Sequence, residues 1–98
     1  MEFREINIYI GNDVALKREL VEELTLLYGG TTTIDTRGTW EAVERVYCED
    51  GYIIQVVTNE PLEDVYKAID RIHKSVNSLE IAIMVTSKAI DYNMRLYR

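Results

Sequence analysis

Two stretches of the chain alternate apolar and polar residues with the period of a β-strand. In the first, Ile6, Ile8 and Ile10 are separated by polar positions, which predicts a strand with one buried face. Residues 90–97 alternate in the same way and predict an additional C-terminal strand. A strand at that place is most useful if it adds to the sheet edge of a neighbouring subunit.

Two other stretches carry apolar residues at helical spacing. The first covers Val14–Tyr28, and we expect Gly29 and Gly30 to end it, because glycine adopts the left-handed C-terminal conformation without strain. The second opens at Pro61 and keeps one apolar stripe as far as Val76. Acidic residues lie near its start and basic residues near its end, as the helix dipole favours.

The middle of the chain has the character of extended strands. The β-branched run Thr31–Thr36 predicts one strand, and Gly38 beyond it predicts a bulge. The apolar run Tyr52–Thr58 predicts another. The turn between them has two candidate positions, the polar run near Glu44 and the short hairpin signal Asp50–Gly51.

Leu79–Thr86 predicts the last core strand. The predicted order is therefore β-α-β-β-α-β, with the extra strand at the C-terminus, in a single domain over residues 1–98. This order is typical of the α+β ferredoxin-like fold, an antiparallel sheet with both helices on one face.

Composition narrows the classes of partner. The 98 residues carry a net charge of −6, which argues against nucleic acid, because phosphate backbones are bound by basic surfaces. No apolar run approaches the ~20 residues that span a bilayer, so we expect no membrane association. The single cysteine, Cys48, fits a reducing compartment, and we expect a cytoplasmic protein.

Few residues carry recognisable chemistry. One histidine, His73, and one cysteine without paired spacing do not predict a metal site. Gly29 and Gly30 lack the lysine and serine of a phosphate-binding loop. A Ser/His/Asp arrangement is also missing, so the sequence predicts neither a cofactor nor an enzyme.

An aromatic and basic cluster stands out in this acidic chain. Arg37, Trp40, Arg45 and Tyr47 lie within eleven positions of one another. One interpretation is subunit packing with solvated arginines. The other is a binding site for a planar anionic ligand such as a nucleotide, in which arginine binds phosphate and an aromatic ring stacks on the base.

The first helix offers a second candidate site for an anion. Lys17 and Arg18 lie near its start and Glu22 and Glu23 nearer its end, which opposes the helix dipole. The arrangement fits either solvated surface charge or a helix N-terminus at which Lys17 or Arg18 helps to hold an anion.

Three short segments carry a resemblance to a known family. They are Thr39-Trp40-Glu41, the pair Glu49-Asp50 six residues before Val56-Val57-Thr58, and Arg71-Ile72-His73. Over residues 31–85 the chain resembles the CutA divalent-cation tolerance family and its PII-like relatives. The resemblance implies a ferredoxin-like domain that forms a trimer. It also favours a turn near Glu44, with Asp50–Gly51 as an irregularity inside a long strand.

The sequence therefore predicts a non-enzymatic homo-oligomer, a trimer by the resemblance, that senses or sequesters a small anionic, nucleotide-like molecule at subunit junctions. Its candidate ligand-binding residues are Arg37, Trp40, Arg45 and Tyr47. The alternative is an acidic protein-interaction module or inhibitor, of phage type, that binds a host protein. A small enzyme that uses the cleft under the hairpin is a third hypothesis.

Overall fold

The structure, a computed structural model, describes the backbone of residues 2–42 and 45–97, and the side chains of these ranges apart from residues 39–49. Along the chain the elements are β1 (Phe3–Gly11), α1 (Val14–Tyr28), β2 (Thr32–Ala42), β3 (Arg45–Thr58), α2 (Leu62–Ser75) and β4 (Met84–Ile90). The strands form an antiparallel sheet in the order β2-β3-β1-β4. The predicted α+β class and βαββαβ order are confirmed.

The bounds of α1 follow from its caps and agree with the prediction. At the start, the Asp13 side chain accepts a hydrogen bond from the Leu16 backbone N–H at 3.0 Å, which satisfies one of the free donors of the first turn. At the end, Gly29 takes a left-handed conformation with φ 87° and donates its N–H to the Thr25 carbonyl. Glycine adopts this conformation without steric cost.

Both helices pack on one face of the sheet. The side chains buried between the layers come from alternate positions of β1 and β3 and from one stripe of each helix. They are Ile6, Ile8, Ile10, Leu16, Leu20, Leu24, Ile54, Val56, Val65, Ala68, Ile69 and Ile72. Burying each of the larger ones stabilises the fold by about 1.5–3 kcal/mol. The opposite side of the sheet, which we call the open face, carries the intervening positions of β1 and β3.

The β2–β3 hairpin is regular over its whole described length. Its register runs without interruption from Thr32 opposite Gln55 to Ala42 opposite Arg45. The hairpin therefore does not turn at Asp50–Gly51, and the other candidate position, near Glu44, lies outside the described residues. The predicted bulge at Gly38 is wrong, since this residue pairs directly with the strand opposite.

Asp50 and Gly51 lie within the regular ladder of β3, so the expected irregularity at this pair is not observed. Gly51 is explained by close approach of the backbones. A Cβ built there would clash with the carbonyl oxygen of Ile10 on β1, a contact no side chain tolerates. The glycine therefore permits the two strands to pair where a turn signal was read.

The hairpin continues past the end of its neighbour. The pairing of β1 with β3 ends where Gly11 lies opposite Gly51. Residues 37–42 and 45–50, which we call the distal hairpin, pair with each other beyond this point. Two strands alone are marginally stable in water, so this segment has less support from its own chain than the rest of the sheet.

The C-terminal part departs from the prediction at both ends of β4. Residues 79–83, expected as strand, have no regular secondary structure. The predicted extra strand over residues 90–97 is also wrong, because the sheet offers it no partner. Phe3 at the start of β1 lies opposite Ile90, so β1 has no further strand residue to pair with the tail. Tyr92 instead stacks on Phe3 with ring centroids 4.6 Å apart.

Candidate functional site

Two neighbouring cavities lie where β1 ends beside β2 and β3. The larger, of about 610 Å³, is the apolar cavity; its lining residues are Tyr9, Ile10, Gly11, Thr36, Gly38, Asp50, Gly51, Leu79, Glu80, Ile81, Ala82 and Met84. The smaller, of about 430 Å³, is the polar cavity, lined by Asn12, Asp35, Thr36, Arg37, Asp50, Gly51 and Tyr52. Thr36, Asp50 and Gly51 line both, and we call the two cavities together the cleft. The alternation of side chains along the strands puts Asp35, Arg37 and Tyr52 on the helix side of the sheet and Tyr9 and Met84 on the open face, so the two cavities lie on opposite sides of the hairpin.

The apolar cavity combines an aromatic ring with aliphatic side chains. Tyr9 comes from the end of β1 and Met84 from the start of β4, directly opposite each other in the ladder. Ile81 belongs to the irregular segment before β4 and is fully exposed, with a relative accessibility of 101%. Flat apolar walls of this kind suit a planar ring system.

The polar cavity holds a group of paired side chains. The Arg37 Nε donates to Asp50 Oδ1 at 3.1 Å. The Tyr52 hydroxyl donates to the Asn12 side-chain oxygen at 3.4 Å, and the Lys17 ammonium lies 5.1 Å from the centroid of the Tyr52 ring. This contact is a cation–π interaction. The cavity can therefore offer a guanidinium group and neutral hydrogen-bonding groups to a bound anion.

The segment that walls the apolar cavity is tied down by hydrogen bonds. The Ser78 hydroxyl donates to Asp13 Oδ2 at 2.7 Å, and the His73 Nε2 lies 2.7 Å from the Glu80 carbonyl oxygen. Together these contacts join the end of α2 to the cap of α1. They hold the start of the irregular segment, and with it Leu79, beside the cleft.

Of the predicted site residues, Arg37 lies in the cleft. Trp40 and Tyr47 are placed opposite each other in the distal hairpin, and Arg45 is opposite Ala42; their side chains lie outside the described residues. Arg37 is five positions from Ala42, about 16 Å along an extended strand. Within one protomer the two arginines thus occupy different levels of the hairpin.

The alternative anion site at the start of α1 is disfavoured. The Asp13 carboxylate already accepts from the Leu16 N–H and from the Ser78 hydroxyl. These bonds, with the backbone contact the stronger, hold the pKa of Asp13 below its ordinary value. The helix N-terminus is thus neutralised by the protein's own carboxylate, while Lys17 is directed to Tyr52.

The open face has features of a surface that becomes covered. Its larger apolar side chains are those of Phe3, Tyr9, Ile34, Ile53, Val57, Met84 and Ile90. Polar groups among them are already paired, Gln55 with Asn7 at 3.0 Å and Lys88 with Glu5 at 3.0 Å. A second protein surface can cover such groups without leaving a donor unsatisfied.

Two further kinds of feature are absent from the residues that the structure describes. Among the residues that the structure describes, no group of three or more histidine, cysteine, aspartate or glutamate side chains is placed to hold a metal ion. Over the same part of the chain, no helix combines the length and apolar character needed to cross a membrane.

Sequence reasoning missed most of the cleft. Tyr9, Tyr52 and Met84 are far apart in the chain and are placed by strand register, and Ile81 is placed by the irregular segment before β4. One signal pointed to this place. A glycine inside a strand pattern often marks close backbone approach, and Gly51 does so here, whereas the prediction favours an irregularity at Asp50–Gly51 and keeps a hairpin turn there as the alternative.

Comparison with known proteins places the fold. No family model matches the chain, and no curated protein matches its sequence. Among solved structures, CutA1 from Oryza sativa superposes with a TM-score of 0.67 at 14% identity, over 96% of this chain and 84% of that one. The chain has the CutA and PII-like fold. The predicted resemblance is confirmed at this level.

Two other solved structures with this fold contain a bound small molecule. The GlnK–ATP complex of B. subtilis matches with a TM-score of 0.58 at 12% identity, over 89% of this chain and 82% of that one. A phage SAM lyase in complex with S-methyl-5′-thioadenosine matches with a TM-score of 0.57 at 11% identity, over 99% of this chain and 93% of that one. At such identities the likeness shows the fold alone, so function has to be argued from the cleft.

Proposed function

We propose that the protein is a non-enzymatic homo-oligomer, a trimer, that senses or sequesters a small anionic, nucleotide-like ligand at its subunit junctions. The observation that carries the proposal is the cleft at the end of β1. There the guanidinium group of Arg37 lies in the polar cavity on one side of the hairpin, and the apolar cavity on the other side has aromatic and aliphatic walls. Each cavity matches one part of a nucleotide, the polar one an anionic phosphate and the apolar one a planar base, and in the proposal a neighbouring protomer supplies the other part of the site.

The hairpin connects ligand binding to assembly. The distal hairpin extends past the end of β1 without a third strand beside it, and an isolated pair of strands gains stability from a surface that covers it. In the proposal, Trp40, Arg45 and Tyr47 of one protomer complete the cleft of a neighbour. The paired polar groups of the open face support self-association on the opposite side of the sheet from the helices.

The neighbours support the choice of ligand class. The GlnK structure is an ATP complex, and the lyase structure contains S-methyl-5′-thioadenosine. These two molecules share an adenosine group. We therefore place adenosine compounds first among the nucleotide-like ligands to be tested with this chain.

A second candidate function is an enzyme acting on S-adenosylmethionine. The observation that favours it is an acidic residue on the apolar cavity, Glu80. A sulfonium cation in an apolar cavity is stabilised by nearby negative charge. The phage SAM lyase shares the fold, which makes this activity worth an assay.

The proposal is tested by titrating the protein with a panel of mono-, di- and cyclic adenine nucleotides, using thermal unfolding and calorimetry. Loss of one charged hydrogen bond weakens binding by about 1.5–3 kcal/mol. We expect Arg37→Ala and Arg45→Ala to abolish the nucleotide-induced rise in Tm. Arg18→Ala, which removes an exposed arginine of α1, is the matched control and should leave the rise intact.

Two results count against the proposal. If no nucleotide of the panel raises the Tm of the unmutated protein, the acidic interaction module becomes the better hypothesis. If incubation with S-adenosylmethionine releases S-methyl-5′-thioadenosine, and Glu80→Gln abolishes this, the enzyme candidate replaces the non-enzymatic one.

A further inference from the structure

The polar cavity has its own set of charged side chains on the helix side of the sheet. Arg37 lies opposite Asp50 in the ladder of β2 with β3. Asp35 lies opposite Tyr52 in the same ladder. The Lys17 ammonium, which comes from the start of α1, lies 5.1 Å from the centroid of the Tyr52 ring. Two cations and two carboxylates therefore surround this cavity, and their charges balance.

The two cations differ in what they contact. The Arg37 Nε lies 3.1 Å from Asp50 Oδ1, so a carboxylate offsets its charge. Within the described part of the chain, Lys17 forms no ion pair and contacts a neutral ring. The ring attracts the positive charge as a whole, so the three N–H donors of the ammonium can still bind an anion. Lys17 is therefore a cation that is held in place and available to a ligand.

Lys17 and Arg37 are close enough to share one ligand group. Tyr52, which lies under the Lys17 ammonium, and Asp50, which holds Arg37, are two residues apart on β3, or about 7 Å. Among the described contacts, Arg37 is bonded through Nε alone, so its terminal nitrogens can donate. Phosphate oxygens accept charge-assisted hydrogen bonds of about 2.8 Å. A single phosphate group can therefore contact both cations.

This place is distinct from the N-terminus of α1. There the Asp13 carboxylate already accepts from the Leu16 N–H, which leaves no need for an external anion. The Lys17 ammonium is directed away from that cap and over Tyr52, a residue of the sheet that lines the polar cavity. An anion bound to Lys17 would consequently lie beside the sheet, on the side of the hairpin where Arg37 lies.

We propose that Lys17 is a second phosphate contact of the polar cavity, and that it holds the phosphate of the ligand together with Arg37. This inference rests on the proposed function and adds a binding residue to its site. Because the charges around the cavity balance, attraction of the ligand from a distance is weak. The affinity for phosphate comes instead from direct hydrogen bonds to the two cations, which the carboxylates cannot make.

Calorimetry with AMP and adenosine tests the proposal, because these ligands differ only in the phosphate group. Lys17→Gln should weaken the binding of AMP by about tenfold or more, as expected for the loss of a charged hydrogen bond. The binding of adenosine should change by less than about twofold, because adenosine has no group for Lys17 to bind. Lys17→Arg keeps the positive charge and should bind AMP more tightly than Lys17→Gln does. Arg18→Gln removes the same charge from the next, exposed position of α1 and should leave both affinities unchanged.

Three results would overturn the role of Lys17 while the ligand-binding function stands. One is an affinity for AMP that Lys17→Gln leaves unchanged. Another is an equal loss for AMP and adenosine, which would show that Lys17 acts by packing on Tyr52. The third is an equal loss of AMP binding in Arg18→Gln, which would indicate general attraction by surface charge. If the unmutated protein binds AMP no more tightly than adenosine, or binds neither, the phosphate is not recognised and the proposed function fails as well.

Discussion

The body of the protomer and the distal hairpin differ in how their side chains are supported. In the body, Ile6, Leu20 and Val65 are fully buried between the helices and the sheet. Among the described residues, every buried side-chain polar atom has a hydrogen-bond partner. In the hairpin, the ion pair between Arg37 and Asp50 is largely exposed, and two strands run on without a third.

The difference teaches where each part of the structure gets its stability. The body is held by contacts that the protomer makes with itself, so its sequence encodes its shape. The distal hairpin has few such contacts, and residues at its base line the cleft. Its stability should therefore depend on a second copy of the chain or on a ligand. A ligand-binding oligomer is expected to combine a self-supporting body with a segment of this kind.

The largest effect is expected from a cavity in the body. Leu20→Ala removes a side chain that is fully buried and should lower the free energy of unfolding by about 2–5 kcal/mol. Leu26→Ala changes the same residue type on the same helix at a position 86% exposed. It should stay within about 0.5 kcal/mol. Denaturant titration of both variants measures their free energies of unfolding. Equal losses of stability in Leu20→Ala and Leu26→Ala would contradict the prediction.

The junction between the two regions is tested at Gly51. A methyl group there would meet the Ile10 carbonyl oxygen, so Gly51→Ala should force the strands apart and cost about 1–3 kcal/mol. Gly30→Ala is the control, because nothing lies within 4 Å of its added Cβ. If Gly51→Ala unfolds at the same denaturant concentration as the unmutated protein, the close approach is not required for stability.

The cap of α1 gives a smaller, pH-dependent effect. Asp13→Ala should cost about 1 kcal/mol at neutral pH, because it removes the acceptor for the Leu16 N–H. In the folded state that bond, followed by the Ser78 hydroxyl, lowers the pKa of Asp13 from 3.8.

The direction of the pH effect follows from this lowered pKa. Ionised Asp13 stabilises the fold fully above its ordinary pKa of 3.8, and the contribution is lost as the pH falls through the lower, folded-state value. Asp13→Asn retains a capping side chain but cannot titrate. The difference in stability between the unmutated protein and Asp13→Asn should shrink on acidification below about pH 4. If this difference in stability grows as the pH falls, folding does not lower the pKa of Asp13.

The smallest effect on stability is expected in the distal hairpin. Exposed ion pairs contribute about 0–1 kcal/mol, so Arg37→Ala should change the Tm of the free protein by no more than a few degrees. Its effect on ligand binding should be much larger. If Arg37→Ala loses as much stability as Leu20→Ala, the distal hairpin is supported as strongly as the body of the protomer, and the two regions do not differ as described.

The parts of the fold that were predictable from the sequence are those fixed by local signals. The bounds of α1 follow from Asp13 and Gly29 and were predicted as observed. The position of β4 was not predicted, because it is set by pairing with β1. The pairing ends where Phe3 lies opposite Ile90, so β1 offers no partner to the residues after Ile90. The cleft was largely missed for the same reason. Arg37 was identified, but Tyr9 and Met84 meet only through strand register.

The most direct test of the account is the mass of the unmutated protein in solution. Light scattering during size-exclusion chromatography at micromolar concentration should give a multiple of the protomer's 11.4 kDa, and for the proposed trimer three times that value. A mass of one protomer, unchanged when a nucleotide that stabilises the protein is present, would contradict the claim that neighbouring copies complete the cleft.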